Sequence, residues 1–463
     1  MLRIHHPEAT DQRWNWLLDV VMTDWLGIPH TREVTSDSDV RFEYEGAELR
    51  VFNDFLIRTS GYAPSPEYLP RLPLERWTLP EQLGNNIEDG ILPLMFGTSQ
   101  FTRAGSKATL GLDVFGTIFF VLSRFEEVAL VRADQHDRFP GVACIAHRDG
   151  HLQRPIVDEY VEVLWNALRC VMPQLQRRQL KGRTLISCDV DEPYERWIKS
   201  PLSLAKGVAG ALVRRRSFSV ATRRLLNTWF SWRGNFSQDP NWCFDWYMTV
   251  CEKHELFATF YFIPTAGTTG ADAAYNLDEP RIVNLMRNIL ERGHHIGMHA
   301  SYASYRDPGL LLREHAHLQS QVQSISPYFK IRENRQHFLR WRIQETTDHL
   351  EHAGFEVDAS GGFADLVGFR FGTSRAFRMW SWKRLEALKL VQYPLIVMEG
   401  TLMSYMNLEL ETEGLALMQT LLTRCARYGG NFSLLWHNSN LETATQRSAF
   451  EAALYLRPQI TAK

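Results

Sequence analysis

Residues 184–193 read TLISCDVDEP, an apolar run that ends in acidic side chains. This composition predicts a buried strand over Thr184–Val190. Asp189 and Asp191 are two positions apart, so they point to the same side of an extended chain. Two such close carboxylates repel each other unless a cation or a shared proton offsets their charge. Asp also commonly closes strands as a turn residue, so this pair alone leaves both interpretations open.

Further apolar strands follow, alternating with helical segments. Buried strands separated by helices indicate a parallel α/β sheet or barrel. In α/β barrels the chemistry lies at the carboxyl ends of the strands, which makes polar residues at those ends the candidates. We predict strands at Leu256–Ile263, His295–His299, Phe355–Asp358, Leu395–Glu399 and Phe432–His437, and helices at Ile282–Arg292 and Ala416–Tyr428.

Two of these strands end in histidine. His294, His295 and His299 lie within six residues, directly after the predicted helix stop Gly293. A lone histidine there is most often a core residue, but this cluster is compatible with a metal such as zinc. His437 closes a late apolar strand, where an imidazole can act as a general acid.

Residues 1–180 are predicted to form a separate, smaller α+β domain, and residues 184–463 a second domain. The polar and basic stretch Met172–Arg183 has the composition of a linker. The first region contains predicted helices at Trp14–Leu26, Asp113–Val128 and Asp158–Val171, and a hairpin at Val40–Asn53.

Residues 194–241 form a basic insertion that we expect to be helical. The interpretation we favour is a solvated helix pair. The alternative is a basic amphipathic surface for anionic lipid or a polyanionic sugar. The basic residues are Lys206, Arg214, Arg215, Arg216, Arg223, Arg224 and Arg233.

The overall composition disfavours some partners and some cellular compartments for this protein. The 463-residue chain has a formal net charge of −2, which disfavours a nucleic-acid partner. The six cysteines are scattered without a Cys-x-x-Cys pair, which favours buried free thiols in a reducing compartment. No secretory signal is visible and the apolar stretches are too short to span a bilayer, so we expect a cytoplasmic protein. Peripheral contact with a membrane or a lipid-linked substrate remains compatible with this.

Taken in order, the strand ends resemble those of the polysaccharide deacetylases, the NodB-homology or carbohydrate esterase family four, over residues 184–445. The family's Ala-Thr-Phe-Phe is similar to Ala258–Phe262, and its Gly-His-Glu-Ile-Gly-Asn-His-Thr to Gly293–Ala300. Its Arg-Pro-Pro-Tyr resembles Arg335–Phe338, and its final Leu-x-His resembles Leu435–His437. The resemblance implies a distorted (β/α) barrel of the NodB type, preceded here by the smaller α+β domain.

The resemblance also implies roles for individual residues. Asp189 would be the catalytic base, oriented by Arg335, and His437 the catalytic acid. Asp191 and His299 would bind a divalent metal, most simply zinc. The family's second metal histidine corresponds to Ala303, which cannot ligate, so His337 is the candidate replacement, with Ser301 or a water as alternatives.

The implied reaction is removal of an N-acetyl group from a sugar. The inserted Val190 and the first region resemble a divergent branch found with bacterial surface-polysaccharide genes, and a cytoplasmic enzyme would act on a glycan precursor. Ser301 and Trp436 are the candidate substrate contacts, with Trp380 and Trp382 as further stacking candidates. The alternatives are a catalytically inactive protein that binds a glycan or protein partner, and a hydrolase of another C–N bond.

Overall fold

The computed structural model describes residues 1–8, 12–213, 216–265, 271–272 and 275–459. It is a mixed α/β structure with a six-stranded sheet in the first region, a nine-stranded sheet in the second and one two-stranded ribbon. The chain contributes strands to the two larger sheets in succession, since the first sheet ends at Leu112 and the second begins at Thr184.

The first sheet has the order β2-β1-β3-β4-β8-β7. Its central hairpin pairs Val40 with Val51 and turns at Gly46, which confirms the hairpin predicted from alternating apolar residues. The strands of this region are β1 (Leu2–Pro7), β2 (His30–Thr35), β3 (Val40–Tyr44), β4 (Ala47–Val51), β5 (Glu75–Thr78), β6 (Ile91–Leu94), β7 (Gly97–Ala104) and β8 (Lys107–Leu112), with β5 and β6 forming the ribbon.

The helices of the first region differ from the prediction in one place. The single buried helix expected over Asp113–Val128 is broken, because Arg124 takes a left-handed conformation at φ 53°. Its guanidinium is held by Glu126 and Glu127 and donates to the Arg370 carbonyl far along the chain. The helices are α1 (Arg13–Leu18), continued as a π-helix over Asp19–Trp25, α2 (Phe55–Arg58), α3 (Glu81–Gly84), α4 (Val114–Leu122), α5 (Phe125–Ala129), α6 (Ile145–Arg148) and α7 (Ile156–Val171).

The second sheet has the order β14-β15-β13-β12-β11-β10-β9-β17-β16 and is parallel except for β14. In the described part of the chain, β14 and β16 end this order and do not pair with each other, so the strand pairing does not show the predicted barrel. The strands are β9 (Thr184–Val190), β10 (Ala258–Phe262), β11 (His295–Ala300), β12 (Glu333–Gln336), β13 (Val357–Asp358), β14 (Phe377–Ser381), β15 (Glu386–Gln392), β16 (Val397–Met398) and β17 (Phe432–Leu435).

Helices alternate with these strands, and two of them form the predicted helical insertion. Arg214 and Arg215, named above among its basic residues, lie outside the described residues. The helices are α8 (Pro201–Val213) and α9 (Phe218–Trp232) in the insertion, then α10 (Phe244–Lys253), α11 (Pro280–Glu291), α12 (Pro308–Ile325), α13 (Thr346–His352), α14 (Leu415–Arg427) and α15 (Ala444–Tyr455).

The two regions share one continuous set of buried apolar side chains, which includes Trp16 and Trp380. Polar contacts reinforce this packing: Trp16 Nε1 donates to the Arg378 carbonyl at 2.7 Å. Arg370 and Glu127, both almost fully buried, form a two-point ion pair at 2.7 and 2.9 Å. The predicted division into two domains stays a prediction, and the two regions pack against each other through this shared set of apolar side chains.

All six cysteines are free, as predicted, and five of them are buried. Within the described ranges, no helix combines the length and the apolar character needed to cross a membrane.

Candidate metal centre and catalytic cavity

Five strands of the second sheet bring polar side chains to the same edge. Asp191 follows β9, His299 lies near the end of β11, and His337 follows β12. Glu399 follows β16, and His437 comes two residues after β17. All five strands run parallel, so their carboxyl ends meet at one edge, where α/β proteins bind ligands.

The potential metal ligands are Asp191, His299 and His337. One ligand-type atom from each lies within 4.8 Å of the other two. Nε2 of His299 is 3.3 Å from Asp191 Oδ1, and Nε2 of His337 is 3.7 Å from the same oxygen. Asp191 Oδ1 is buried and has no hydrogen-bond partner among the described residues, as expected of an atom that binds a cation. One carboxylate and two imidazoles suit zinc.

The two imidazoles have fixed orientations. His337 Nδ1 is 2.9 Å from Asp272 Oδ1, and His299 Nδ1 is 2.8 Å from the Arg335 carbonyl. A proton on each Nδ1 satisfies these contacts and leaves Nε2 with a lone pair facing Asp191. Such outer partners of imidazole ligands set the tautomer and increase ligand basicity. Asp272 therefore belongs to the site, although the sequence offered no signal for it.

Asp189 lies beside the ligand cluster and contacts Arg335. Arg335 Nη1 is 3.6 Å from Asp189 Oδ1, and both residues are almost completely buried. The Arg335 guanidinium also lies over the ring of Tyr261, 4.8 Å from its centroid. Gly297 permits this arrangement, because a Cβ at that position would approach Tyr261 Cε1 to 2.4 Å. Tyr261 thus supports the arginine that faces Asp189.

His437 forms a buried pair with Glu399. His437 Nδ1 is 2.7 Å from Glu399 Oε1, and its Nε2 is 3.7 Å from Asp191 Oδ2. Glu399 is fully buried and also accepts hydrogen bonds from the His437 backbone N–H and from Asn440 Nδ2, each at 2.8 Å. Burial lowers the pKa of His437, but the Glu399 carboxylate outweighs it and raises that pKa to about 10. His437 is therefore protonated at neutral pH in the metal-free protein.

The carboxylates and imidazoles of the cluster shift one another's pKa values toward the charged forms. Burial acts to raise the pKa of Asp191, but the His337, His299 and His437 rings hold it well below its usual value. Burial acts to lower the pKa of His299, whereas Asp189 and Asp191 raise it. In the metal-free protein, the Asp191 carboxylate is thus ionised at neutral pH.

These residues line a cavity of about 200 Å³. The first region contributes one wall through Arg138, whose Nη1 donates to the Phe338 carbonyl at 2.9 Å. Phe338 and Leu339, directly after His337, have φ angles of 60° and 53°. Left-handed backbone costs about 1–3 kcal/mol per residue and persists where the surroundings hold it, as Arg138 does here. The lining residues are Arg138, Asp189, Asp191, His299, His337, Phe338, Leu339, Met398, Gly400, Ser404, Tyr405 and His437.

A larger cavity of about 520 Å³ opens at the other end of the same strands. It is lined by the amino ends of β9 and β11, including His295, and by Tyr261 and Arg335. Because the potential metal ligands all face the smaller cavity, we place the candidate chemistry there.

The predicted substrate contacts do not lie in this cavity. Trp436 is completely buried, packs on Phe450 at 5.2 Å between ring centroids, and donates to the Asn440 carbonyl. Trp380 is likewise buried in the core, and Trp382 donates to the Ser123 carbonyl of the first region. Ser301 is 3% exposed and its backbone N–H donates to Glu314. These side chains are therefore not among the residues that line this cavity, and their contact with a sugar stays a prediction.

Comparisons with known proteins give limited matches. Residues 2–173 match a family of unknown function (DUF7033), which spans less than half of the chain. No curated protein matches the chain. A crystal structure from Mycobacterium smegmatis, assigned as a polysaccharide deacetylase, is similar with a TM-score of 0.39 and 13% identity, covering 60% of this chain and 84% of its own. Another, from Pseudomonas aeruginosa PAO1 and assigned likewise, has a TM-score of 0.37 and 12% identity over 59% and 84% of the two chains. Because these scores and identities are low, the proposal below rests on the geometry of the site itself.

Proposed function

We propose that this protein is a metal-dependent hydrolase that removes an N-acetyl group from a carbohydrate. One observation carries the proposal: the Asp191, His299 and His337 ligand atoms lie within 4.8 Å of one another, with a carboxylate–arginine pair and a histidine–glutamate pair beside them. A metal site between a potential base and a potential acid is the set of groups that amide hydrolysis requires.

Asp191, His299 and His337 would hold the cation, with zinc as the metal that best suits one carboxylate and two imidazoles. When bound, a divalent cation supplies Lewis-acid polarisation of a carbonyl and increases the acidity of water. His337 takes the place that Ala303 cannot fill, so the ligand set is complete without Ser301.

Asp189 is the proposed base. It would accept a proton from the attacking water. Arg335, 3.6 Å away, would hold this carboxylate in place and is itself supported by the Tyr261 ring. Arg335 is thus a positioning residue in this proposal.

His437 is the proposed acid. Departure of an amine requires a proton on its nitrogen, and in the metal-free protein His437 carries one at neutral pH because Glu399 raises its pKa to about 10. With Nδ1 bonded to Glu399, its Nε2 faces the cavity beside Asp191, where it can donate to the leaving nitrogen. Proton donation of this kind contributes roughly 10²–10⁴-fold to rate.

The proposed substrate is an N-acetylated sugar of a bacterial surface polysaccharide or of a glycan precursor. The cavity of about 200 Å³ is smaller than the roughly 300–1,000 Å³ of pockets that enclose whole drug-sized ligands. This size favours entry of an acetamido group and its ring while the rest of the glycan stays outside. Aromatic side chains at the cavity, Phe338 and Tyr405, offer surfaces for a sugar ring.

The test combines zinc content with acetate release from a panel of N-acetylated sugars and small amides. Asp191→Ala and His299→Ala should each lose bound zinc and acetate release while retaining the wild-type circular dichroism spectrum. His295→Ala is the matched control, because it removes an imidazole from the opposite end of the same strand. The site assignment is wrong if both cavity variants keep stoichiometric zinc and full activity.

The same experiment separates the alternatives. Wild-type protein that binds zinc but releases acetate from no sugar would favour an inactive protein that binds a glycan or protein partner. Release from simple amides but not from sugars would favour a hydrolase of another C–N bond.

A further inference from the structure

The helix pair of the insertion has an unusual distribution of side chains. In α9 the buried positions are small or polar, and they include Arg224, Asn227 and Ser231. Large apolar side chains occupy solvent-facing positions instead. Helices of globular proteins normally show the reverse pattern, with the apolar side against the core. The amphipathic character of α9 is therefore directed outward.

The outward side of α9 is one continuous stripe. Phe218, Leu225, Trp229 and Trp232, here called the exposed apolar stripe, are spaced by seven, four and three residues, which aligns them on one side of a helix. Phe218 is 81% exposed, Leu225 49%, Trp229 47% and Trp232 55%. Leu226 beside the stripe and Val213 at the end of α8 are 53% and 75% exposed and enlarge the same apolar surface.

Specific hydrogen bonds on the buried side hold α9 in this orientation. Asn227 Nδ2 donates to Glu195 Oε2 at 2.9 Å and to Asp239 Oδ2 at 3.0 Å. Ser231 Oγ donates to Asn227 Oδ1 at 3.2 Å. Rotating the helix to bury the exposed apolar stripe would break this buried polar network, and the loss of such a network is costly. The outward orientation is thus built into the fold.

The charge of the insertion indicates which kind of partner would bind the exposed apolar stripe. From Arg196 to Gln238 the sequence contains no acidic residue and nine basic ones, although the whole chain has a net charge of −2. Arg233 lies over the Trp229 ring, 3.8 Å from its centroid, so basic and aromatic groups are adjacent. A helix with Trp, Phe and Leu on one side and Arg or Lys around it is typical of segments that lie in the interface of an anionic membrane.

We propose that α8 and α9 dock this protein onto an anionic lipid bilayer, with the exposed apolar stripe inserted at the level of the headgroups. Trp and Phe side chains enter the interface, and the surrounding arginines contact lipid phosphates. The insertion leaves the sheet directly after Asp191, at the same edge as the candidate metal centre. This inference concerns binding alone and does not depend on the proposed reaction.

Vesicle co-sedimentation tests the proposal, using phosphatidylcholine vesicles with and without phosphatidylglycerol. The wild-type protein should bind the anionic vesicles, bind neutral vesicles far more weakly, and lose affinity as salt is added. The Phe218→Ser/Trp229→Ser variant should bind anionic vesicles about 10- to 100-fold more weakly, because two large apolar side chains no longer leave water. Both positions are solvent-exposed, so the fold should be retained, as circular dichroism would verify.

The matched control is Val131→Ser/Tyr328→Ser, which removes two apolar side chains that are 89% and 96% exposed elsewhere on the protein. It should bind anionic vesicles as the wild type does. The proposal is overturned if wild-type protein stays in the supernatant with anionic vesicles, or if the stripe variant binds them normally. It is also overturned if the wild type is a dimer in solution that the stripe variant converts to a monomer, since a second copy would then be the occupant.

Discussion

Replacing Glu399 by Gln should lower the pKa of His437, because it removes the buried carboxylate that stabilises the protonated imidazole. The substitution keeps the shape of the side chain but removes a negative charge located 2.7 Å from His437 Nδ1. An opposite charge at this distance typically shifts a pKa by about 1–3 units, so the pKa of His437 should fall from about 10 to roughly 7–9. At 1.36 kcal/mol per unit, the imidazolium loses about 1.4–4 kcal/mol of stabilisation.

The sign of the effect on folding follows from the same shift. The folded-state pKa of His437 lies above its ordinary value of 6.5, so the pair stabilises the fold fully below about pH 6.5 and loses this contribution as pH rises through about 10. In the Glu399→Gln variant, the contribution of protonated His437 to the stability of the fold should be lost at a lower pH. If His437 is the acid of the proposed reaction, the alkaline limb of the kcat profile should move to lower pH by a comparable amount.

The assay is an NMR titration of the His437 imidazole in the metal-free protein, with kcat against pH as a second measurement on the zinc-loaded enzyme. Glu356→Gln serves as the control, because that side chain is 59% exposed and lies on the surface. An unchanged His437 midpoint in the Glu399→Gln variant would refute the inference that Glu399 sets the protonation of this histidine.

Three further substitutions test other parts of the structure. Asp272→Ala removes the partner of His337 Nδ1 and should weaken zinc binding about 10- to 100-fold in a competition titration with a chelator; equal affinity would show that Asp272 does not orient this ligand. Gly297→Ala should cost about 1–3 kcal/mol in chemical denaturation and lower activity, because the new methyl group displaces Tyr261 from beneath Arg335; wild-type values for both would contradict that role. Arg370→Met leaves the buried Glu127 carboxylate without its main partner and should cost about 3 kcal/mol of unfolding free energy, whereas a cost below that of surface substitutions would indicate a weak contact between the regions.

Part of the second sheet could be predicted because strands such as β9 and β10 are nearly continuous apolar runs, whereas the polar strand β12 could not. The β9 strand has the predicted bounds, and β11 differs from its prediction by one residue. The break between α4 and α5 could not be predicted, because Arg124 is held by the carbonyl of Arg370, 246 residues away. A local pattern of apolar residues contains no information about such a partner.

Some residues of the candidate site could likewise be predicted from the sequence, and others could not. Asp191, His299 and His437 were predicted as site residues because each follows or ends an apolar strand, and Glu399 carried the same signal, since it closes the predicted strand Leu395–Glu399. His337 was predicted from the family resemblance alone, because the strand before it, Glu333–Gln336, is polar. Asp272 and Arg138 carried none, because their partners His337 and Phe338 lie 65 and 200 residues away.

The alternation of side chains in an extended segment bears on the prediction for Trp436, which directly follows β17. Adjacent residues of an extended chain point to opposite sides, so Trp436 and His437 cannot both face the cavity. The structure follows this rule: His437 contacts Asp191, and Trp436 packs in the core against Phe450.

The bond between Trp16 and the Arg378 carbonyl joins residues 362 positions apart, and this has a consequence for synthesis on the ribosome. At roughly 5–20 residues per second, about 20–70 s separate the emergence of the tryptophan from that of its partner. During this interval the apolar surface around Trp16 has no permanent cover, and a nascent chain in that state is a substrate for chaperones and prone to aggregate. Slow elongation or chaperone depletion should therefore reduce the yield of folded protein. The molecules that do fold should have unchanged properties.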